Sequence, residues 1–493
     1  MNSPVLQNIL AYIKINKMEA TAIYLQIAQG LINAIQTKAV KTGDKLPGTR
    51  TLSEKLYLHR KTVVAAYDEL VAQGWIDIIP QIGAFVSNKK IKTTSIQLTE
   101  KAFNSIKTPY EVMENYILDS PYIPIATDLY FTDGTGDFRL LDFKILTQIF
   151  NALTKKKTTA CAINKNFHVQ NMNLKQQFLN YLYITKRFTI PENQLLIFQN
   201  NQIAFQSILQ TLFRPNDTVI VTEIGHFETN MKLKHAQVNL ITVITNQDGI
   251  DLQHFKSILN KQKIRALYIQ TNQLYPTTIS LTEENKKQLI ELAYEHQFII
   301  IEDDNGTDFV YHKNQISTLK NLDSKGSVVY VNSLKDLFPH PYDLAYIIVP
   351  ENLILELSKA QNIWQSTAMY LIEETLAEYI NEGLLLRQLQ KQTKIYQKRR
   401  DYFASILDQH FEQSIHFEKP EIGLGFWIQL NKRISLLAIA NLLRAKNLTL
   451  PNYLLYQNRD LTALRLGFAH LNEQEAEEAT TLLSKGIYEY MYN

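Results

Sequence analysis

One cysteine, Cys161, occurs in 493 residues, so neither an intramolecular disulfide framework nor a cysteine-rich metal site can be built. Nowhere do eighteen apolar residues run together, and the opening MNSPVLQNILAYIKIN lacks a basic segment followed by a long apolar core. A membrane helix and a secretory leader are therefore not expected, and a cytoplasmic protein is. Internal repeats and low-complexity tracts are also missing, with only 16 glycines and 14 prolines. An excess of either charge is missing, 51 Lys or Arg facing 48 Asp or Glu for a formal net charge of +3. Its distribution is uneven: residues 1–92 hold twelve Lys or Arg against six Asp or Glu, and the remainder is slightly acidic. A basic excess confined to one end points to a nucleic-acid reader there. The length exceeds what a single core usually serves, so at least two domains are expected.

What is present is densest between Gly43 and Val86, GDKLPGTRTLSEKLYLHRKTVVAAYDELVAQGWIDIIPQIGAFV. Leu52 and Leu56 form one apolar stripe, and Val63, Val64, Tyr67, Leu70 and Val71 form a second at helical spacing, with Tyr57 to His59 as the turn between them. The second helix opens with Arg60, Lys61 and Thr62, where a recognition helix meets phosphates and base edges. Gly74 stops it, and Trp75 to Val86, bent at Pro80 and Gly83, reads as a two-stranded wing. Ile27, Leu31 and Ile35 supply an earlier helix of the same domain. An ordinary helical hairpin with a solvated basic end is the plainer reading of such a pattern. The whole string, however, resembles the winged helix-turn-helix of the GntR family, with GDKLPGTR as its entry, RKTVVAAYDEL as its recognition helix and QGWI…GAFV as its wing. That resemblance implies Lys45, Arg50, Arg60, Lys61 and Thr62 as contacts to double-stranded operator DNA.

Residues from Asn88 to Leu129 are mixed, polar and proline-bearing, with one short helix expected near Val112 to Ile117; a linker is read over 89–125, between a domain at 1–88 and another at 126–493. From about residue 195, β-branched runs alternate with helical segments: LLIF at 195, TVIV at 218, LITVI at 240, ALYIQ at 266, FIII at 298, SVVYV at 327 and LAYIIV at 344. Seven such runs predict an α/β domain with a mainly parallel seven-stranded sheet. Ser280 and Glu283 supply a helix start ahead of Leu289 and Ile290. Ligands of such sheets bind beyond the carboxyl ends of the strands. Polar residues follow two of the late runs, Asp303 after FIII and Lys335 after SVVYVNSL, and Arg465 lies nearer the C-terminus within ALRLGF. Singly, such a lysine reads as solvated surface and such an acid as a loop or helix cap. Together, an acid, a lysine and an arginine are what a pyridoxal phosphate site needs: a carboxylate for the pyridine nitrogen, an amine for the aldehyde and a guanidinium for a substrate carboxylate.

Behind a GntR-like reader, this set resembles the MocR/GabR subfamily, which fuses a winged helix to a fold-type I aminotransferase-like domain. FTDGTGDFRLLDF, IFQNNQIAF, TEIGHFE, QTNQLYPTTISL, IIEDDNGTDFVY, SLKDLFP and LRLGFAHL carry the likeness. It implies Lys335 as the cofactor-linking lysine, Asp303 as the partner of the ring nitrogen and His226 as the stacking ring. It further implies Asn201, Gln202, Asn305 and Tyr275 as cofactor contacts and Arg465 as the clamp for a carboxylate effector. Departures gather in this site. The phosphate cup, usually rich in small residues, is Gln199 to Ile203; Asn305 stands for a tyrosine, Asp343 for the phosphate-binding arginine, and Thr278 for a glycine. An acid beside a dianion removes a charge-assisted bond worth about 1.5–3 kcal/mol and adds repulsion, so the cofactor is expected to be weakened or lost. The resulting expectation is a homodimeric transcription regulator that senses pyridoxal phosphate or an amino-acid-like effector. The alternatives are a pyridoxal-phosphate-dependent aminotransferase with a fused DNA-binding domain, and a regulator whose large domain is only a dimerisation scaffold.

Overall fold

The computed structural model describes all residues except 1–3, 14, 17–21, 81, 88–109, 112–114, 121–123, 126, 157–171, 313–316, 365–368, 412–413, 431–433, 454, 459 and 493. Two compact units emerge, Met1–Val112 and Met113–Asn493. Most of the segment read as a linker lies outside the described residues, as does Cys161.

In the first unit, helices α1 (Pro4–Tyr12), α2 (Ile23–Gln36), α3 (Thr49–Leu56) and α4 (Arg60–Ala72) precede an antiparallel pair, β1 (Ile76–Ile79) and β2 (Gly83–Val86). Ile27 and Leu31, Leu52, and Val63, Tyr67 and Leu70 close on one buried cluster with Ile76 and Val86. Val64 and Val71, expected in that stripe, are instead 37% and 40% exposed. The buried face is 63, 66, 67 and 70, and positions 64 and 71 lie about 100° around the helix from it. Tyr57, at φ 55°, turns the chain out of α3. His59 Nδ1 then caps α4 by accepting the Lys61 amide at 3.2 Å, and Gly74, at φ 74°, ends that helix. Helix α1, whose Leu6 and Ile9 pack on the same cluster, has no counterpart in the sequence reading.

In the second unit all seven runs become strands of one sheet: β3 (Leu195–Phe198), β4 (Thr218–Thr222), β5 (Asn239–Val243), β6 (Ala266–Ile269), β7 (Ile299–Asp303), β8 (Val328–Ser333) and β9 (Ala345–Ile348). The order is β3-β9-β8-β7-β6-β4-β5, and only β9 runs antiparallel to its neighbours. Alternate residues face opposite sides: Val219, Val221, Tyr268 and Ile301 pack with helix α5 (Asn201–Leu212). Ile220, Leu267, Ile269 and Ile300 pack with Leu289 and Ile290. Burial on both faces explains why the runs read as continuous apolar stretches. Helix α6 (Phe227–His235) follows β4, and helix α7 (Glu283–His296) follows β6. The cap of α7 is Thr282, whose Oγ1 accepts the Asn285 amide at 3.2 Å. Ser280, the expected start, instead donates to the Asn272 carbonyl at 2.6 Å, so the helix begins two residues later. A third cluster joins helix α8 (Leu384–Phe411) to a three-stranded sheet of β10 (Ile415–Phe417), β11 (Gly425–Leu430) and β12 (Ala463–Gly467). The helix expected over 112–117 is reduced, among the described residues, to a single 3-10 turn at Tyr116–Leu118; Val112, Met113 and Glu114 lie outside them.

Candidate functional site

The first unit offers a basic edge. Arg50 is the second residue of α3, and Arg60 and Lys61 open α4; all three are exposed, while Thr62 is half-buried. Arg60 Nε donates to Thr49 Oγ1 at 3.5 Å, which brings the starts of α3 and α4 together. Lys45 belongs to the wing instead: its Nζ lies 5.9 Å from the Phe85 ring centre, and a Cβ on Gly83 would stand 2.9 Å from its Cε. Tyr57, 94% exposed in the turn, is an added candidate. Its signal was an aromatic where a turn-forming residue would ordinarily stand.

In the second unit, Asn201, Gln202, His226, Tyr275, Asp303, Asn305, Lys335 and Arg465 all line one cavity of about 210 Å³, and Asp343 lines it too. The parallel sheet brings most of them there, since each of those residues or its loop follows a strand's carboxyl end, and Arg465 comes from within β12 of the three-stranded sheet.

Asp303 ends β7 and is buried. Its Oδ2 accepts the Tyr268 hydroxyl at 2.5 Å, and its Oδ1 accepts the Asn305 backbone amide at 3.0 Å and Nδ2 at 2.6 Å. Asn305 Oδ1 in turn accepts the Ser333 hydroxyl at 2.5 Å. The asparagine is thus spent on orienting the carboxylate. Tyr268 Oη also accepts Thr229 Oγ1 at 3.2 Å, and burial followed by the Asp303 charge holds the phenol pKa well above its ordinary value. In the sequence Tyr268 is marked only as part of the strand run ALYIQ, and Thr229 is not marked at all. The available signal was a phenol in a fully apolar strand, which needs a buried partner.

Lys335 stands two residues beyond β8, exposed to the cavity it lines. Enclosure works against its ammonium, but Asp336, Asp133, Asp303 and Glu228 outweigh that and hold its pKa above the usual lysine value. An amine held protonated is a poor nucleophile, so a cation paired with Asp303 would have to relieve this field. Gly136 permits the chain to approach here, since a Cβ on it would lie 2.4 Å from the Asp336 carbonyl oxygen. His226 caps α6, accepting the Thr229 amide at 3.4 Å, and its ring centre lies 4.8 Å from that of Tyr275. Burial and then Lys335 lower its pKa against the pull of Asp303.

Arg465, on β12, donates through Nε to the Asp133 carbonyl and through Nη1 to the Pro276 carbonyl, each at 2.8 Å. Its guanidinium carbon sits 5.0 Å from the Tyr275 ring centre. Both bonds go to carbonyls, and the remaining donors of the fork can meet a carboxylate. Tyr275 Oη donates to Asp133 Oδ2 at 2.9 Å, an acid the sequence reading left aside. At the other end Asn200 caps α5, its Oδ1 accepting the Ile203 amide at 3.0 Å. Asp343 lines the cavity together with Asn201 and Gln202 of α5, and its Oδ1 meets His340 Nδ1 at 3.1 Å. Thr278, in the place of a glycine, holds φ 66°.

Comparison with known proteins places these features. Residues 23–86 match the model of the bacterial regulatory proteins of the gntR family, and residues 141–483, more than half of the chain, match aminotransferase class I and II. An uncharacterised HTH-type transcriptional regulator of Bacillus subtilis, YdeL, is 22% identical over 94% of this chain and 96% of its own length. A probable rhizopine catabolism regulatory protein of Rhizobium meliloti, MocR, is 19% identical over 82% of this chain and 80% of its own. Among solved structures, Pyrococcus horikoshii kynurenine aminotransferase aligns with a TM-score of 0.65 at 20% identity, over 74% of this chain and 92% of that one. Thermus thermophilus LysN, an α-aminoadipate aminotransferase, aligns at 0.67 and 16%, over 74% and 93%. The large unit thus has the fold-type I aminotransferase fold, which implies pyridoxal phosphate binding in the family, and the chain belongs to the class I and II aminotransferase family, with a GntR-family winged helix in front, the organisation of the MocR/GabR subfamily.

Proposed function

We propose that this protein is a cytoplasmic DNA-binding transcription regulator of the MocR/GabR type, in which residues 1–88 read an operator, 89–125 connect, and 126–493 bind an effector and dimerise. The observation that carries the reading is the convergence of Lys335, Asp303, His226 and Arg465, from four separate elements, on one cavity in a chain whose other unit exposes Arg50, Arg60 and Lys61. Pyridoxal 5'-phosphate suits that donor set, and when bound it supplies an electron-accepting ring and an aldehyde that a lysine can bond covalently. Lys335 would hold it at the aldehyde, Asp303 at the ring nitrogen, His226 on the ring face, and the start of α5 at the phosphate, an anion at a helix N-terminus. Arg465 would grip the carboxylate of an amino-acid-like effector.

The site is degenerate for turnover on this reading, because Asn305 is committed to Asp303 and Ser333 and Asp343 faces the phosphate end. Loose anchoring harms chemistry more than sensing, since a reacting group must be held in position while a sensed one need only bind. Dimerisation through the large unit would set two winged helices on paired half-sites. A second reading, a working aminotransferase with a fused DNA reader, is favoured by the intact set of Lys335, Asp303 and Arg465 in one cavity.

The test pairs two measurements on the full chain. Pyridoxal phosphate is added, fixed with borohydride, and the modified residue mapped; Lys335 is the expected site. Transamination is assayed with a panel of amino acids and 2-oxo acids. Rapid multiple turnover would replace the regulator reading of this cavity with the enzyme one.

A further inference from the structure

The phosphate end of the cavity has an acid, Asp343, where the resemblance places an arginine, yet a cation does stand there. Lys232, on α6, lines the cavity together with Asn201, Gln202 and Asp343. Its Nζ lies 5.8 Å from the ring centre of Phe205, the fifth residue of α5, so the ammonium reaches across from α6 to the N-terminal half of that helix. Its ion partner is Glu228 at 3.6 Å, with each side chain about one-third exposed. Such an i,i+4 surface pair is weak and readily exchanged for a better anion.

We propose that Lys232 supplies the cation for the phosphate of pyridoxal phosphate in this chain, from the opposite wall to the lost arginine; this rests on the reading of the cavity as that cofactor's site. The chemistry is consistent with the layout. A helix N-terminus alone offers amide donors and a partial positive charge. Beside Asp343 and Glu228 it needs a full charge to favour a dianion, and a lysine serves as a flexible point charge. His226, Thr229 and Lys232 lie on or immediately before the same helix, so one element would cover the ring and hold the phosphate. Swinging Lys232 from Glu228 to the phosphate would also couple cofactor binding to the position of α6.

The experiment titrates the full chain with pyridoxal phosphate and with pyridoxal, followed by absorbance and tryptophan fluorescence, for the unaltered protein and for Lys232→Gln, Lys232→Arg and Asp343→Asn. The unaltered protein is expected to prefer the phosphorylated ligand by about tenfold or more, the scale of one charge-assisted contact. Lys232→Gln should erase that preference while leaving pyridoxal affinity unchanged, Lys232→Arg should keep it, and Asp343→Asn should enlarge it. A preference that survives Lys232→Gln overturns the proposal. Equal binding of both ligands by the unaltered protein overturns it while leaving the cofactor site standing, and binding of neither overturns both. If Lys232→Gln does not fold, Lys232→Arg and Asp343→Asn decide: losing the preference in the first, or no gain in the second, refutes the assignment.

Discussion

Tyr268→Phe removes a single oxygen and keeps the ring, and so isolates the support of Asp303. The hydroxyl donates to Asp303 Oδ2 at 2.5 Å, with both residues buried. After the substitution that carboxylate oxygen loses this donor, while Oδ1 keeps its two bonds from Asn305. The Thr229 hydroxyl loses Tyr268 but retains His226 Nδ1 at 3.2 Å. A hydrogen bond to a buried charge contributes about 1.5–3 kcal/mol, against about 1 kcal/mol for a neutral one. Only the first loss is of the charged kind, so the large unit should lose about 1.5–3 kcal/mol of unfolding free energy. Urea denaturation of the full chain, followed by fluorescence, reads it in the transition of the large unit, treated separately because two units need not unfold together. Pyridoxal phosphate affinity should fall about tenfold in parallel, since a carboxylate held by one side only pairs less well with a ring nitrogen. Unchanged stability together with unchanged affinity would refute the claim that this hydroxyl fixes the carboxylate.

Arg60→Ala and Arg50→Ala should each weaken operator binding by about 1–3 kcal/mol with folding intact, read by fluorescence anisotropy over a series of salt concentrations. Glu302, fully buried, has its pKa pushed up from 4.5 to about 7, by burial first and by Asp304 second. The folded state therefore holds this proton more tightly than the unfolded chain, so its contribution is complete below pH 4.5 and is lost as pH rises through about 7. Glu302→Gln should flatten the fall in stability of the large unit between those values, and an unchanged slope would contradict the assignment. Thr278→Gly should raise the melting temperature of that unit modestly. Relief of a left-handed threonine, about 1–2 kcal/mol, exceeds the entropic cost of glycine, about 0.5–1 kcal/mol.

Much of this was readable in the chain, for definite reasons. A strand buried on both faces leaves an unbroken β-branched run, which is why all seven strands of the sheet could be listed with their ends nearly right. Lys335 and Asp303 were legible because each sits at or just beyond such a run, and Arg465 because LRLGFAHL carries the family likeness. The residues that support them were not. Tyr268 meets Asp303 and Thr229 across 35 and 39 residues of sequence, distances that no local period reports, and nothing local marks Lys232, whose place in the cavity depends on α5 coming beside α6. Val64 and Val71 were misplaced because a five-residue apolar set at helical spacing does not say where the stripe ends. The start of α7 slipped because Ser280 and Thr282 are both good caps, and only the bond from Ser280 to Asn272 removes the first.

The claim that this chain reads DNA and that its large unit senses a ligand is tested most directly by one selection. The full-length protein is incubated with a pool of random duplexes, with and without pyridoxal phosphate, and the bound sequences are recovered. The account predicts a motif with two half-sites whose enrichment changes when the cofactor is added and disappears in Arg60→Ala. Recovery of no sequence motif under either condition would contradict it.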